Sequence, residues 1–182
     1  MANILIGFAS QEGQTERVAW RVREVLAQEG HRVTLAPVSD DPDPADADAV
    51  VVAGPIHVGR HDPRLVAWAR RRAMTLRDRP SALVTVCLTA QDDGDEARAT
   101  LAGYDADLAE ATGWSPDLHA SVAGALNFDR LGWLKRMMLT RIARTRGLLE
   151  PDEPERGVHE FTDWSEVDAL GHELAERLGH AA

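Results

Sequence analysis

Cysteine is nearly absent from this chain: Cys87 is the single one in 182 residues. One thiol excludes an intramolecular disulfide framework and fits a reducing compartment. Cys87 stands inside the apolar run Ala82-Leu83-Val84-Thr85-Val86-Cys87-Leu88, so it reads as a core thiol rather than a nucleophile. Positive charge is also short. Asp and Glu number 30 against 20 Lys and Arg, a formal charge of −10, which argues against a broad nucleic-acid surface. The N-terminus lacks the basic region of a signal peptide, and its apolar run is too short to span a bilayer. A cytoplasmic location is therefore the default expectation.

Nucleotide fingerprints are missing too. No G-x-G-x-x-G follows the first apolar run, and no Gly-Lys-Ser/Thr closes the loop after it. A receiver domain would need an acidic phosphoacceptor near the end of the third strand, where Ala53-Gly54 stand instead. No metal site is expected, and no side chain is assigned as a catalytic nucleophile.

What is present begins at Ala2. The run Ile4-Leu5-Ile6-Gly7-Phe8 passes through Ala9-Ser10-Gln11-Glu12-Gly13-Gln14-Thr15 into an amphipathic segment with Val18, Ala19, Val22, Val25 and Leu26 at helical spacing. A buried strand, a small-polar loop and a helix N-terminus make a unit suited to phosphate, because the first N–H groups of a helix are unpaired and carry partial positive charge. A βα turn capped by Ser10 or Thr15, with no ligand, is the alternative.

The pattern continues in order. A helix from Gly13 or Gln14 to about Glu29 stops at Gly30, and His31 to Val38 alternates as a strand. Ser39 to Asp48 is a surface loop rich in Asp and Pro. Ala49 to Ala53 is a continuous apolar run, as expected of a central strand covered on both faces, and it ends in the shaped loop Gly54 to His61. Pro63 opens a helix bearing Leu65, Val66, Trp68 and Ala69, whose Arg70, Arg71 and Arg72 suit a helix C-terminus. Ser81 to Leu88 is a further strand, Glu96 to Thr112 a helix ended by Gly113, and Leu118 to Ala125 a fifth strand. The last helix starts near Thr162 or Asp163, with Glu166 placed for a capping box and Val167, Leu170, Leu174 and Leu178 as its stripe. With 44% hydrophobic and 27% charged residues, one domain over 1–182 is expected, with 127–157 as an insertion and connector. Alternating elements imply an α/β three-layer sandwich: a five-stranded parallel sheet in order 2-1-3-4-5 with helices on both faces and an inserted helix after strand five. Ligands in such sheets bind beyond the C-terminal strand ends, near the switch in strand order.

The pattern Ser10-x-x-Gly13-x-Thr15 resembles the phosphate loop of flavodoxins, which hold FMN phosphate with hydroxyls and backbone N–H groups. More closely, the chain is similar to the flavodoxin-like, menaquinone-dependent protoporphyrinogen IX dehydrogenase family. The matching features run in order: Gly13-Gln14-Thr15; Ile56-x-x-Gly59-x-His61; Ala123-Gly124-Ala125-Leu126 before an aromatic-basic segment; and Thr162-Asp163-Trp164. The resemblance implies an FMN enzyme of heme biosynthesis that oxidises protoporphyrinogen IX to protoporphyrin IX and passes electrons to a quinone. It implies that Ser10, Gln11, Glu12, Gly13, Gln14 and Thr15 cradle the phosphate. It implies further that Pro55, Ile56, His57, Val58 and Gly59 touch the isoalloxazine, and that Leu88, Thr89, Ala90, Gln91 and Asp92 cover its other side. His57 and His61 stand where they would move protons beside the flavin, or serve only structurally. The third loop is acidic, with Asp92, Asp93, Asp95 and Glu96, and has no aromatic residue. A flavodoxin-type electron carrier, a reductase of another quinone, and a flavin-less interaction domain are the alternatives.

Between Arg130 and Leu149 lie six Lys or Arg residues and no acid, a basic island on an acidic chain. Leu131, Leu134, Met138 and Ile142 form an apolar stripe at helical spacing, and Trp133 and Met137 a second. Three readings stand: a helix packed on the sheet edge; a surface for anionic lipid at the inner face of the cell membrane, with snorkelling arginines; or a clamp in which Arg130, Arg136 or Arg141 pairs the propionates of a porphyrinogen.

Overall fold

A computed structural model describes residues 1–127 and 158–179. The elements are β1 (Asn3–Phe8), α1 (Gln14–Gln28), β2 (Arg32–Pro37), β3 (Ala49–His57), β4 (Arg60–His61), α2 (Pro63–Arg71), α3 (Ala73–Arg77), β5 (Ser81–Val86), α4 (Asp95–Thr112), β6 (Leu118–Val122), β7 (Ala125–Asn127), β8 (Val158–Glu160) and α5 (Trp164–Gly179). The main sheet runs β2-β1-β3-β5-β6, all parallel, which is the expected order, with β4 paired antiparallel to β3. Two compact units are distinguished: Met1–Gly124 with Thr162 onward, and Ala125–Phe161, of which β7 and β8 form an antiparallel pair. The expected inserted helix, with Arg130, Arg136 and Arg141, lies outside the described residues.

Alternation along each strand divides the core in two. Ile4, Ile6, Phe8, Val51, Ala53, Val84 and Val86 face α1 and α5, while Leu5, Val50, Val52 and Leu83 face α2, α3 and α4. Trp68 of α2 is completely buried in the second layer, and its ring lies on Gly7 of β1, where a Cβ would come within 3.3 Å of it. Its indole N–H donates to the Pro42 carbonyl at 3.0 Å. On the opposite face Gly171 of α5 meets Val25 of α1, and Arg21 clasps Asp168 through two hydrogen bonds of 2.5 and 2.7 Å.

Three sequence expectations are corrected. The third strand does not end at Ala53. It continues to His57 because Ile56 and His57 pair with His61 and Arg60 in a hairpin that the apolar pattern does not signal. The fifth strand stops at Val122, not Ala125; Ala125 pairs instead with Glu160 in the second unit. Neither Ser10 nor Thr15 caps α1. Its N-cap is Gly13, at φ 93°, with no side-chain capping bond. The Arg70–Arg72 cluster also does more than meet a helix end: Arg71 and Arg72 pair with Asp41, and Arg72 also with Asp43, pinning the 38–48 loop.

Candidate functional site

The loops after β1, β3 and β5 stand at the C-terminal edge of adjacent strands, the place where a doubly wound sheet takes its ligand. In the first loop the Ser10 hydroxyl accepts from Gly13 N at 3.0 Å, closing a tight turn. Gly13 needs its left-handed backbone, and a Cβ there would meet nothing within 4 Å, so the loop is open toward solvent. Thr15 is buried and Glu12 exposed.

Two struts hold this loop. Gln11 Nε2 donates to Asp62 Oδ2 at 3.0 Å, and Asp62 is the side-chain cap of α2, accepting from Arg64 N at 2.8 Å. The Arg64 guanidinium pairs with both Asp62 oxygens, at 3.0 and 2.7 Å, and its Nη2 reaches the Ser10 carbonyl at 3.2 Å. The Asp62 side chain is fully buried. Arg64 and Gln11 hold its pKa far below the ordinary carboxylate value, so it is charged throughout the working pH range. On the other flank Gln14 Nε2 donates to Thr162 Oγ1 at 2.7 Å, and Thr162 donates to the Ala123 carbonyl at 2.7 Å. Arg17 donates to Gln14 Oε1 and stacks 5.0 Å from the centre of the Trp164 ring. Asp62, Arg64 and Thr162 were not among the sequence-derived site residues. The Asp62-Pro63 pair carried a legible signal, an N-cap before proline at N1; the partnership with Gln11 carried none.

The second loop is a two-residue hairpin turn, Val58-Gly59, with φ of 49° and 74°. Both central residues at positive φ define the primed turn that hairpins favour. A β-branched residue there is strained by about 1–2 kcal/mol, and Val58 is 91% exposed. Val58→Asn is therefore expected to raise stability by about 1 kcal/mol, measured as a higher urea midpoint at unchanged slope; no gain would mean that the turn relaxes by another route. His57 Nε2 is buried with no hydrogen-bond partner among the described residues. In the third loop Leu88–Gln91 form a single 3-10 turn, and Asp92 accepts from Gly94 N at 2.8 Å. Cys87 is buried and its thiol pKa is raised by that burial, as a core thiol requires.

His61 is turned away from solvent. Its Nε2 lies 3.2 Å from the Tyr104 carbonyl, which only accepts, so Nε2 carries the proton and Nδ1 does not. Burial lowers its pKa, keeping the ring neutral. A histidine with a depressed folded pKa is charged more readily in the unfolded chain, so stability falls as pH drops below the ordinary histidine value of about 6.5. His61→Gln is expected to flatten that fall, seen as a smaller loss of thermal midpoint between pH 7 and pH 5; an unchanged slope would assign it to other groups.

Beside the hairpin a cleft of about 370 Å³ opens between α2 and α4. Pro63, Val66, Ala67 and Arg70 form one helical stripe toward it, and Tyr104, Asp107, Leu108 and Ala111 the facing stripe, both at i, i+3, i+4, i+7 spacing. The short side chains of Ala67 and Ala111 leave the space between the two stripes unfilled. A second cavity, of about 240 Å³, borders the first loop between Ser10, Ser39 and Arg64. Among the described residues no group of three or more metal-ligating side chains occurs, and no helix is long and apolar enough to cross a membrane.

A 2-1-3-4-5 parallel sheet with an uncapped helix N-terminus and a Ser/Gly/Thr loop at its switch point defines a doubly wound α/β protein. The flavodoxin domain family matches residues 5–148, and the chain belongs to that family. Its relatives include the protoporphyrinogen IX dehydrogenase [quinone] of Escherichia coli (strain K12), 29% identical over 94% of this chain and 93% of that protein. The protein of the same name from Leishmania major is 26% identical over 94% of this chain and 74% of its own length. Among solved structures, a flavodoxin from Streptococcus pneumonia TIGR4 covers all of both chains with a TM-score of 0.57 at 18% identity, a likeness of fold.

Proposed function

We propose that this chain is an FMN-dependent oxidoreductase that oxidises protoporphyrinogen IX and passes the electrons to a quinone. The observation that carries the substrate is the match to the Escherichia coli dehydrogenase over 94% of the chain, which takes in the 127–157 insertion as well as the fold. The loop geometry supports the cofactor. The open, uncapped start of α1 at Gly13 suits a phosphate, and the orphaned His57 Nε2 in the second loop suits a group that brings its own hydrogen-bond partner.

In this reading Ser10, Gln11, Glu12, Gly13, Gln14 and Thr15 surround the phosphate. Pro55, Ile56, His57, Val58 and Gly59 border one side of the ring, and Leu88, Thr89, Ala90, Gln91 and Asp92 the other. FMN, when bound, would supply two-electron hydrogen transfer, and the six hydrogens that separate protoporphyrinogen from protoporphyrin would require three turnovers, each converting one quinone to quinol. The chain's own residues bind and orient. Gln11, Asp62 and Arg64 fix one flank of the phosphate loop, and Gln14 with Thr162 fixes the other. His61 holds the hairpin to α4 through the Tyr104 carbonyl. The basic insertion would pair propionates through Arg130, Arg136 or Arg141, or dock the protein on the anionic inner face of the membrane that contains the quinone.

The acidic third loop favours a second reading, a flavodoxin-type electron carrier or a reductase of another quinone. Asp92, Asp93, Asp95 and Glu96 repel an anionic porphyrinogen approaching from that side.

The deciding experiment is the visible spectrum with and without added FMN, then anaerobic porphyrinogen, then quinone. Bound flavin that bleaches with porphyrinogen and recovers with quinone is expected. Bound flavin that porphyrinogen leaves oxidised supports the carrier, and a chain that takes up no FMN is a flavin-less interaction domain.

A further inference from the structure

We propose that the cleft between α2 and α4 is a binding site for an apolar ring bearing carboxylates, and that its occupant is the porphyrinogen. The ligand class comes from the cleft itself; its identity as porphyrinogen rests on the function proposed above. Arg60, from the hairpin, and Arg70, from the α2 stripe, both line the cleft, and the guanidinium of neither makes a hydrogen bond or ion pair among the described residues. On this acidic chain the arginines around them are engaged: Arg64 with Asp62, Arg71 and Arg72 with Asp41, Arg77 and Arg79 with backbone carbonyls. Two unpaired guanidiniums beside an apolar wall of Val66 and Tyr104 match a molecule whose body is apolar and whose arms are carboxylates.

The acceptors in the same cleft narrow the class. Asp107 lines it without an ion pair among the described residues, so the site offers an acceptor as well as cations. His61, 8% exposed, also lines it, and its Nδ1 is buried with no partner. A porphyrinogen brings propionates for the arginines and pyrrole N–H donors for the acceptors. A quinone brings carbonyl acceptors alone and would leave Asp107 unanswered. The cleft shares Gly59 and Arg60 with the hairpin assigned to the flavin ring, so a ring held there lies against that hairpin.

The test is equilibrium binding of protoporphyrin IX, followed by its fluorescence, to the full-length, FMN-supplemented protein in the oxidised state. Its dimethyl ester is the neutral comparison. We expect the diacid to bind at least tenfold tighter than the ester. The double variant Arg60→Gln/Arg70→Gln should remove that advantage while leaving FMN affinity unchanged. Ala111→Trp, which fills the cleft from an exposed position on α4, should weaken both ligands. Equal binding of acid and ester, or parent-like binding by the double variant, would each overturn the proposal. Porphyrin held in the cleft while porphyrinogen fails to reduce the flavin would keep the site and reject only the catalytic reading.

Discussion

Asp62→Ala is expected to uncouple the loop after β1 from the rest of the fold, weakening FMN binding at least tenfold and lowering stability by about 2–3 kcal/mol. The stability figure combines two losses. The first turn of α2 loses its only side-chain cap, and the Gln11 amide and Arg64 guanidinium lose a charged acceptor. Asp62→Asn separates these effects. It keeps an oxygen for Arg64 N but removes the charge that anchors the guanidinium, so it should recover the cap and not the loop. The measurements are a urea titration and an FMN titration on each variant. An Asp62→Ala protein with unchanged FMN affinity would show that the first loop holds its shape without this strut.

The same carboxylate makes a pH prediction. Its folded pKa is depressed, chiefly by Arg64, so its contribution is complete above the ordinary carboxylate value and is lost only as pH falls toward the depressed one. The stability difference between parent and Asp62→Ala should therefore stay constant from pH 7 to about pH 4 and shrink below that. A difference that closes already near pH 5 would contradict the buried, paired state of Asp62.

Trp68→Ala is expected to cost about 3–5 kcal/mol, a large loss in the second core layer. The ring is wholly buried, it fills the space left by the missing side chain of Gly7, and its N–H satisfies the Pro42 carbonyl. Alanine leaves a cavity against β1 and frees the loop that Pro42 belongs to. Trp68→Phe should recover most of the packing and none of the hydrogen bond, so the gap between the two variants reports the bond. Thermal or urea unfolding checks both; a Trp68→Ala protein within about 1 kcal/mol of the parent would require that α2 collapses onto Gly7.

Much of this arrangement is readable from residue order, and the exceptions have physical causes. Continuous apolar runs at Ile4, Val50 and Leu83 announce central parallel strands because both faces are covered. The amphipathic spacing of Val18, Val22 and Leu26 places α1 in the same way. The hairpin at Val58 was not legible: valine at positive φ runs against its own preference, and the turn exists because Ile56 and His57 find cross-strand partners. β8 is too short, at three residues, to show any alternation. In the candidate site, Ser10, Gly13 and Thr15 advertise themselves as a small-polar loop before a helix. Asp62 and Thr162 do not, because their partners lie 51 and 148 residues away in sequence. The cleft was hidden for a related reason. Arg70 reads as one of three arginines at a helix end, and only the rotation of α2 separates it from the two that are paired.

The Gln14–Thr162–Ala123 relay has a consequence for biosynthesis. The nascent chain completes the loop after β1 early, but Thr162, its partner on Gln14, follows 148 residues later, with Trp164 and the α5 helix that packs on α1. During translation the loop therefore exists without one of its two struts. Cofactor capture should then be a late event, and chains truncated before residue 162 should have little hold on flavin.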